Sequence, residues 1–561
     1  MKKILLFSLI ILQSLMGCKE TKNETVTSDN EKGISQSSTI QSFDWESATV
    51  YFLLTDRFNN GDPSNDLNFE RGEETGYLRG FEGGDLKGVT QKISEGYFND
   101  LGVNAIWMTP VVEQIHGATD EGTGLTYGYH GYWTKDWTAI DPNYGTTEDL
   151  KKLVETAHAN GIRVLLDAVI NHTGPVTGKD PVWPESWVRT QPQCDYKSYE
   201  STISCTLVKN LPDIRTDSDE AVDLPPQLVE KWKAEGRYEQ EVKELDEFFK
   251  RSGHPKAPRF YIMKWLADYI SDYGIDGYRV DTVKHTEEFV WQEFKDVCDE
   301  TFLGWKENNP EKVLDDAGFY LVGEVYGYGI SGAKMYDFGD KKVNYFDDAF
   351  ASLINFDFKW NAKENNYETL FKSYSNALEG ELDGYGILNY LSSHDDGQPY
   401  DPIREKPLVT ANYLLLSPGT AQIYYGDESA RKLKVEDAVG DANLRSFMNW
   451  DQIDNNDAIL IHWQKLGKFR RDHPAVGSGI HQMITAEPYV FYRSLTGNGA
   501  DDQVVIGLDL DKGEKAISVR TIFKDGTEVL DTYSGELATV ENGIAVFDTE
   551  NSVLLLEKIK K

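Results

Sequence analysis

From Thr49 to about Ser429 the chain alternates short apolar runs with amphipathic helical patterns, and it does so eight times. The runs are TVYFLLTDRF, VNAIWMTPV, IRVLLDAVI, GIDGYRVD, FYLVGEV, a weaker NYFDDAF, GILNYLSS and TAQIYYGDE. Runs this short, rich in β-branched and aromatic residues and bounded by turn residues, fit strands buried on both faces. The intervening segments carry helical periodicity and stop signals; TEDLKKLVETAHANG, for example, ends on Gly161, which tolerates the left-handed backbone of a helix terminus. Parallel strands need a crossover between them, so eight strand–helix units predict an α/β fold, a (β/α)8 TIM barrel.

A chain of 561 residues is too long for one core. The longest interruption of the rhythm follows the third strand and predicts an inserted domain over 173–258, leaving 44–172 and 259–471 to the barrel. After Asp472 the pattern turns to short alternating strands, YVFYRSL, QVVIGLDL, AISVRTIF and SVLLLEKI, which predict a C-terminal antiparallel β-sandwich over 472–561. At the other end, Lys2 and Lys3 precede an apolar stretch from Ile4 to Met16, the build of a signal peptide over 1–18. Leu15-Met16-Gly17-Cys18 resembles a bacterial lipobox, so Cys18 is expected to carry lipid and to anchor an exported protein at the outer membrane, on its periplasmic or outer side. Residues 19–43 are too polar to bury a core and read as a disordered tether. No later segment looks transmembrane, so the anchor is the expected membrane contact. Cys194 and Cys205 lie in a polar stretch and are expected to form a disulfide; Cys298 reads as a buried thiol.

Four segments place chemistry at or near the ends of apolar runs: DAVINH (Asp167 to His172), GYRVDTVKH (Gly277 to His285), VGEV (Val322 to Val325) and SSHD (Ser392 to Asp395). The C-terminal strand ends of a barrel share one mouth, so Asp281, Glu324 and Asp395 should converge there. Convergent carboxylates suit cleavage of a glycosidic bond. Arg279, two residues before Asp281, points to the same side, and its permanent charge favours an ionised neighbour. The net charge of −36 repels phosphate and argues against a nucleic-acid partner.

Taken in order, GVNAIWMTP, YGYHGYW, DAVINH, LPDI, GYRVDTVKH, GEV, SSHD and YYGDE resemble the α-amylase family of glycoside hydrolases over nearly all of the chain beyond residue 43. The run from Leu211 through Lys284 is most similar to the periplasmic branch. The resemblance implies that Asp281 is the nucleophile, Glu324 the general acid/base and Asp395 a third carboxylate that holds sugar hydroxyls. It implies substrate contacts from Tyr129, His130, Tyr132, His172, Arg279, Lys284, His285 and His394, with Asp167 more structural. It also implies structural Ca2+ at one or two sites. Asn171, Asp213 and the backbone carbonyl of His285 would form one; Asn60, Asp62, Asn65, Asp66, the Gly83 carbonyl and Asp85 the other. The expected activity is endo-hydrolysis of α-1,4 bonds in starch, glycogen or maltodextrins with retention of configuration. The alternatives are a cyclomaltodextrinase-like, neopullulanase-like or transglycosylating enzyme, or a non-catalytic glycan-binding lipoprotein.

Overall fold

The computed structural model describes residues 43–454, 457–497 and 500–559. Cys18 and the residues expected to form a signal peptide and a tether, up to residue 42, lie outside the described residues. Eight parallel strands close into a barrel: β1 (Thr49–Leu53), β2 (Ala105–Met108), β3 (Arg163–Ala168), β4 (Gly277–Val280), β5 (Tyr320–Gly323), β6 (Ser352–Asn355), β7 (Gly386–Tyr390) and β8 (Thr420–Tyr424). Each strand pairs with its neighbours in sequence, and β1 with β8 closes the ring. The register sets Arg279 of β4 between Asp167 of β3 and Val322 of β5.

The sixth strand is a correction. NYFDDAF is not a strand; Tyr345–Asp348 is a helical turn, and the barrel strand is the next segment, Ser352–Asn355. The Asn344 side chain accepts from the N–H groups of Phe346 and Asp347, and two aspartates sit in the first turn, where the helix end is positive. SLIN escapes a search for apolar runs because Ser and Asn flank only two apolar residues. Burial of Asn355 is made tolerable by bonds from its Nδ2 to Asn389 Oδ1 at 2.8 Å and Tyr374 Oη at 3.0 Å.

The N-terminal end of the barrel is closed by the first residues described. Trp45 stacks on Tyr320, the first residue of β5, with ring centroids 3.9 Å apart, and its carbonyl accepts from Thr420 Oγ1 at the start of β8. Phe43 lies under the guanidinium of Arg163, which opens β3. Between β3 and β4 the chain leaves the barrel. It forms a two-residue ladder of Val188–Arg189 with Asp213–Ile214, a loop closed by the Cys194–Cys205 disulfide, and the helices Pro226–Glu235 and Tyr238–Ser252. It returns through helix Pro258–Tyr273, which begins with Pro and ends on left-handed Gly274. Lys231 and Arg237 bind the excursion to Asp136 at 2.8 and 2.7 Å.

After helix Ala458–Asp472 and the short helix Ala475–Ser478 the described chain is all β: β9 (Ile480–Thr485), β10 (Tyr489–Gly497), β11 (Ala500–Leu508), β12 (Gly513–Ser518), β13 (Glu528–Asp531), β14 (Glu536–Thr539), β15 (Ile544–Thr549) and β16 (Leu554–Lys558). Six of these form an antiparallel sheet in the order β9-β10-β11-β16-β13-β14, and β12 pairs with β15. One apolar cluster joins the two layers, with Val505 and Leu554 from the larger sheet and Ile517 and Phe547 from the smaller. Of AISVRTIF only the first residues are strand; Val519 and Phe523 are buried from a turn.

Candidate active site

Asp281 and Glu324 are the first residues beyond β4 and β5, and Asp395 lies in the loop after β7. Strand ends of a closed barrel converge, and all three line one cleft of about 1350 Å³ at the C-terminal mouth. Arg279 sits beneath it, fully buried. Its Nη1 is 2.6 Å from Asp281 Oδ1 and 3.0 Å from Asp167 Oδ1; its Nη2 is 3.2 Å from Glu324 Oε2. Asp167 in turn accepts from Tyr132 Oη at 2.9 Å and Trp107 Nε1 at 3.1 Å. This side chain is therefore the floor anchor of the guanidinium, and burial pushes its carboxyl up to about 7 against the opposing charge of Arg279.

Glu324 is held differently. Its Oε2 accepts from the backbone N–H of Thr282 at 2.8 Å, and Thr282 adopts the left-handed conformation (φ +50°) that aims this N–H. A β-branched residue there is strained, and the strain lies between the two carboxylates. Burial raises the Glu324 carboxyl well above the usual range; Arg279 opposes this, while Asp281 and Asp395 add to it. A carboxyl held toward its protonated form can donate a proton.

The imidazoles of His130, His172 and His394 are buried, and burial lowers the pKa of each. As neutral rings they offer one donor and one acceptor each. His130 Nδ1 accepts from the Tyr132 N–H at 3.1 Å, and the Tyr132 ring stacks on His394. Lys284 Nζ donates to the Tyr326 carbonyl at 2.9 Å, and the His285 ring meets the Tyr196 ring edge to face. Of the residues expected to touch substrate, His130, Tyr132, His172, Lys284, His285 and His394 line the cleft. Tyr129 and Arg279 do not: Tyr129 is buried behind the wall with the guanidinium of Arg57 3.8 Å over its ring.

The cleft also has members that the motifs did not single out. Tyr326 is about half exposed beside Glu324, and its place two residues after that carboxylate was a usable signal. Asp441, held between Arg79 at 2.9 Å and Arg445 at 2.6 Å, comes from a polar loop with no apolar run to flag it.

Among the described residues no cluster of three or more His, Cys, Asp or Glu side chains could hold a metal, so both expected calcium sites would need amide and carbonyl oxygens beside their carboxylates. The loop of residues 59–85 fits such a cation. Asn60 Oδ1 and Asn65 Oδ1 are buried with no hydrogen-bond partner among the described residues. Gly83, at φ +92°, packs so close that a Cβ would lie 2.5 Å from Asn60 Nδ2 and 2.8 Å from Asp66 Oδ1. Asp85 already accepts from the N–H groups of Gly61, Asp62 and Gly88. Asp62 is turned to Lys87, 2.5 Å away, and to Ser64. In the other set, Asn171 and Asp213 are adjacent through the bond from the Ile214 N–H to the Asn171 carbonyl, and Thr286, next to His285, donates to Asn171 Oδ1 at 3.3 Å. Here Asp213 Oδ2 faces Arg189 Nε at 3.0 Å, so one of its oxygens already has a cationic neighbour.

Comparison with known proteins adds four findings. A family profile described as the catalytic domain of alpha-amylase matches residues 52–470. The periplasmic alpha-amylase of Escherichia coli is 35% identical over 532 residues, covering 84% of this chain and 73% of that protein. A cyclomaltodextrin glucanotransferase of Thermoanaerobacterium thermosulfurigenes is 26% identical, covering 89% of this chain and 64% of its own length. Among solved structures, the α-amylase of Geobacillus thermoleovorans complexed with acarbose superposes with a TM-score of 0.63 at 22% identity, over 93% of this chain and all of that one.

Proposed function

Because this chain belongs to the α-amylase family of glycoside hydrolases, we propose that it hydrolyses internal α-1,4 bonds of starch, glycogen or maltodextrins with retention of configuration. The observation that carries this reading is the unequal treatment of two carboxylates on one guanidinium. Both are buried and line the cleft, but Asp281 is ion-paired to Arg279 at 2.6 Å, whereas Glu324 stands 3.2 Å from that side chain, accepts from the Thr282 N–H and has its carboxyl pushed up. Asp281 then attacks the anomeric carbon as Glu324 protonates the departing glycosidic oxygen, giving a covalent glycosyl-enzyme. Glu324, now ionised, takes a proton from water, which attacks the same carbon and releases Asp281. Direct attack without an intervening water requires the two carboxyl groups to lie about 5–5.5 Å apart, and both reach the same Arg279 side chain. Asp395, with the neutral imidazoles of His172 and His394, faces the hydroxyls of the bound ring.

Calcium bound by Asn60, Asn65, Asp66, Asp85 and the Gly83 carbonyl would supply a charge that ties the loop after β1 to the barrel. Export and anchoring through Cys18 belong to the same proposal. The periplasmic relative supports export, and partition of the Cys18→Ala variant between detergent and water tests the anchor.

Incubating the protein and its Glu324→Gln variant with soluble starch and following reducing ends tests the mechanism. Inactive wild type, or a fully active variant, would overturn it. Loss of iodine staining well ahead of reducing ends would support internal cleavage. Cyclic or transferred products from amylose would instead favour the activity named for the glucanotransferase relative.

A further inference from the structure

We propose that Lys359, Asp396 and Tyr390 form a buried clamp that positions Asp395 in the cleft; the proposal rests on the glycosidase reading above. The sequence sets two aspartates side by side in SSHDDG, and the fold sends them in opposite directions. Asp395 reaches the cleft and is about a third exposed, whereas Asp396 is buried. Lys359, on helix Phe358–Glu364 after β6, is also buried and forms an ion pair with Asp396 Oδ2. Tyr390, the last residue of β7, donates its hydroxyl to the same oxygen at 2.6 Å, and the Gln398 N–H donates to Oδ1 at 3.1 Å.

Asp395 has no comparable hold of its own. Among the described residues its carboxylate meets Ser393 Oγ at 3.4 Å and His394 Nδ1 at 3.6 Å, at or beyond the limit of a useful hydrogen bond. The position of its carboxylate is therefore inherited from the backbone of the turn. That turn is fastened on both sides of Asp395: on one by the three donors to Asp396, on the other by Arg445 Nε, which donates to the His394 carbonyl at 2.9 Å. A buried lysine–aspartate pair is a costly way to stabilise a fold, and well-packed apolar residues often do as well. A pair of this kind one residue from a cleft carboxylate, and not itself lining the cleft, suits a positioning role.

The test compares Lys359→Met, Lys359→Arg, Lys359→Met with Asp396→Asn, and Tyr390→Phe. Each is read for kcat and KM on one chromogenic maltooligosaccharide and for the place of Asp395 in a crystal structure. Lys359→Met leaves Asp396 unpaired, and kcat should fall roughly 10- to 100-fold, the scale of a misplacement of about 1 Å, with a much smaller change in KM. Lys359→Arg keeps the charge and should retain most of kcat; adding Asp396→Asn to Lys359→Met should recover part of the loss. Tyr390→Phe removes one hydroxyl without stranding a charge. It carries the test if Lys359→Met does not fold, with a smaller drop in kcat and a displaced Asp395. Unchanged kcat with Asp395 unmoved in Tyr390→Phe or Lys359→Met would overturn the clamp. So would Lys359→Arg as impaired as Lys359→Met, which would assign the loss to packing. A wild type that turns over no maltooligosaccharide would count against the proposed function; the clamp would then stand or fall on whether Asp395 moves in the Tyr390→Phe crystal.

Discussion

Arg279 and Asp281 meet at 2.6 Å, Nη1 to Oδ1, and the same nitrogen lies 3.0 Å from Asp167 Oδ1. With Glu324 on Nη2, one buried cation serves three carboxyl groups. They cannot all be ionised without leaving negative charge unbalanced in a region of low dielectric. Burial raises the carboxyls of Asp167 and Glu324, which relieves the excess.

Replacing Arg279 by Met should therefore be costly twice. It strands buried carboxylates, a change of about 3–5 kcal/mol in unfolding free energy, and it removes the partner of the proposed nucleophile, Asp281. Arg279→Lys keeps a charge but not the fork, and should fall between the two. Denaturant titration and reducing-end assays measure the two losses separately.

Glu324→Gln should lower kcat by roughly 10²- to 10⁴-fold, the usual contribution of a general acid. In the wild type kcat should decline as pH rises through the raised pKa of Glu324, because the proton donor is lost. The stability effect has a definite sign. A carboxyl raised in the folded state binds its proton more tightly there than in the unfolded chain, so the associated stability is complete below the unfolded pKa and is lost as pH rises through the folded one. The variant should thus melt above the wild type at neutral pH, with the gap closing in acid.

Removal of calcium should lower the melting temperature, since a cation bound to the folded loop of residues 59–85 stabilises it by mass action. Gly83→Ala should destabilise by about 1–3 kcal/mol, because a Cβ would lie 2.5 Å from Asn60 Nδ2 and the backbone is at φ +92°. Calorimetric titration of the chelated protein with calcium should show heat of binding in the wild type and a weakened response in Asp66→Ala. An unchanged melting curve in excess chelator would count strongly against the site.

His473 follows helix Ala458–Asp472 and reaches Asp502 with Nδ1 and Glu557 with Nε2, both at 2.8 Å, from adjacent strands of the C-terminal sheet. Burial works against the imidazolium, but the two carboxylates outweigh it and its pKa stands raised. Its contribution is then complete below the pKa of an unfolded histidine, about 6.5, and is lost as pH rises through the folded value. The difference in melting temperature between wild type and His473→Gln should be widest in mild acid and shrink as the solution is made alkaline.

Seven of the eight barrel strands were legible because each is an apolar run between turn residues, and the barrel follows from their rhythm. SLIN was not, because its stability comes from a buried Asn355–Asn389–Tyr374 network that no periodicity records. The carboxylates were legible for a related reason: Asp281 and Glu324 end such runs, and the barrel brings run ends together. Asp441, Lys359 and Tyr390 were silent because their neighbours come from other loops and helices. Only the fold places Lys359 against Asp396, 37 positions apart in the chain.

Trp45 and Phe43 close the barrel at the strand starts, and the carboxylates open at the strand ends. The first described residues therefore form part of the closed base of the barrel, at the opposite end from the cleft. A polymer that engages the carboxylates meets the loops at the strand ends and leaves that base untouched.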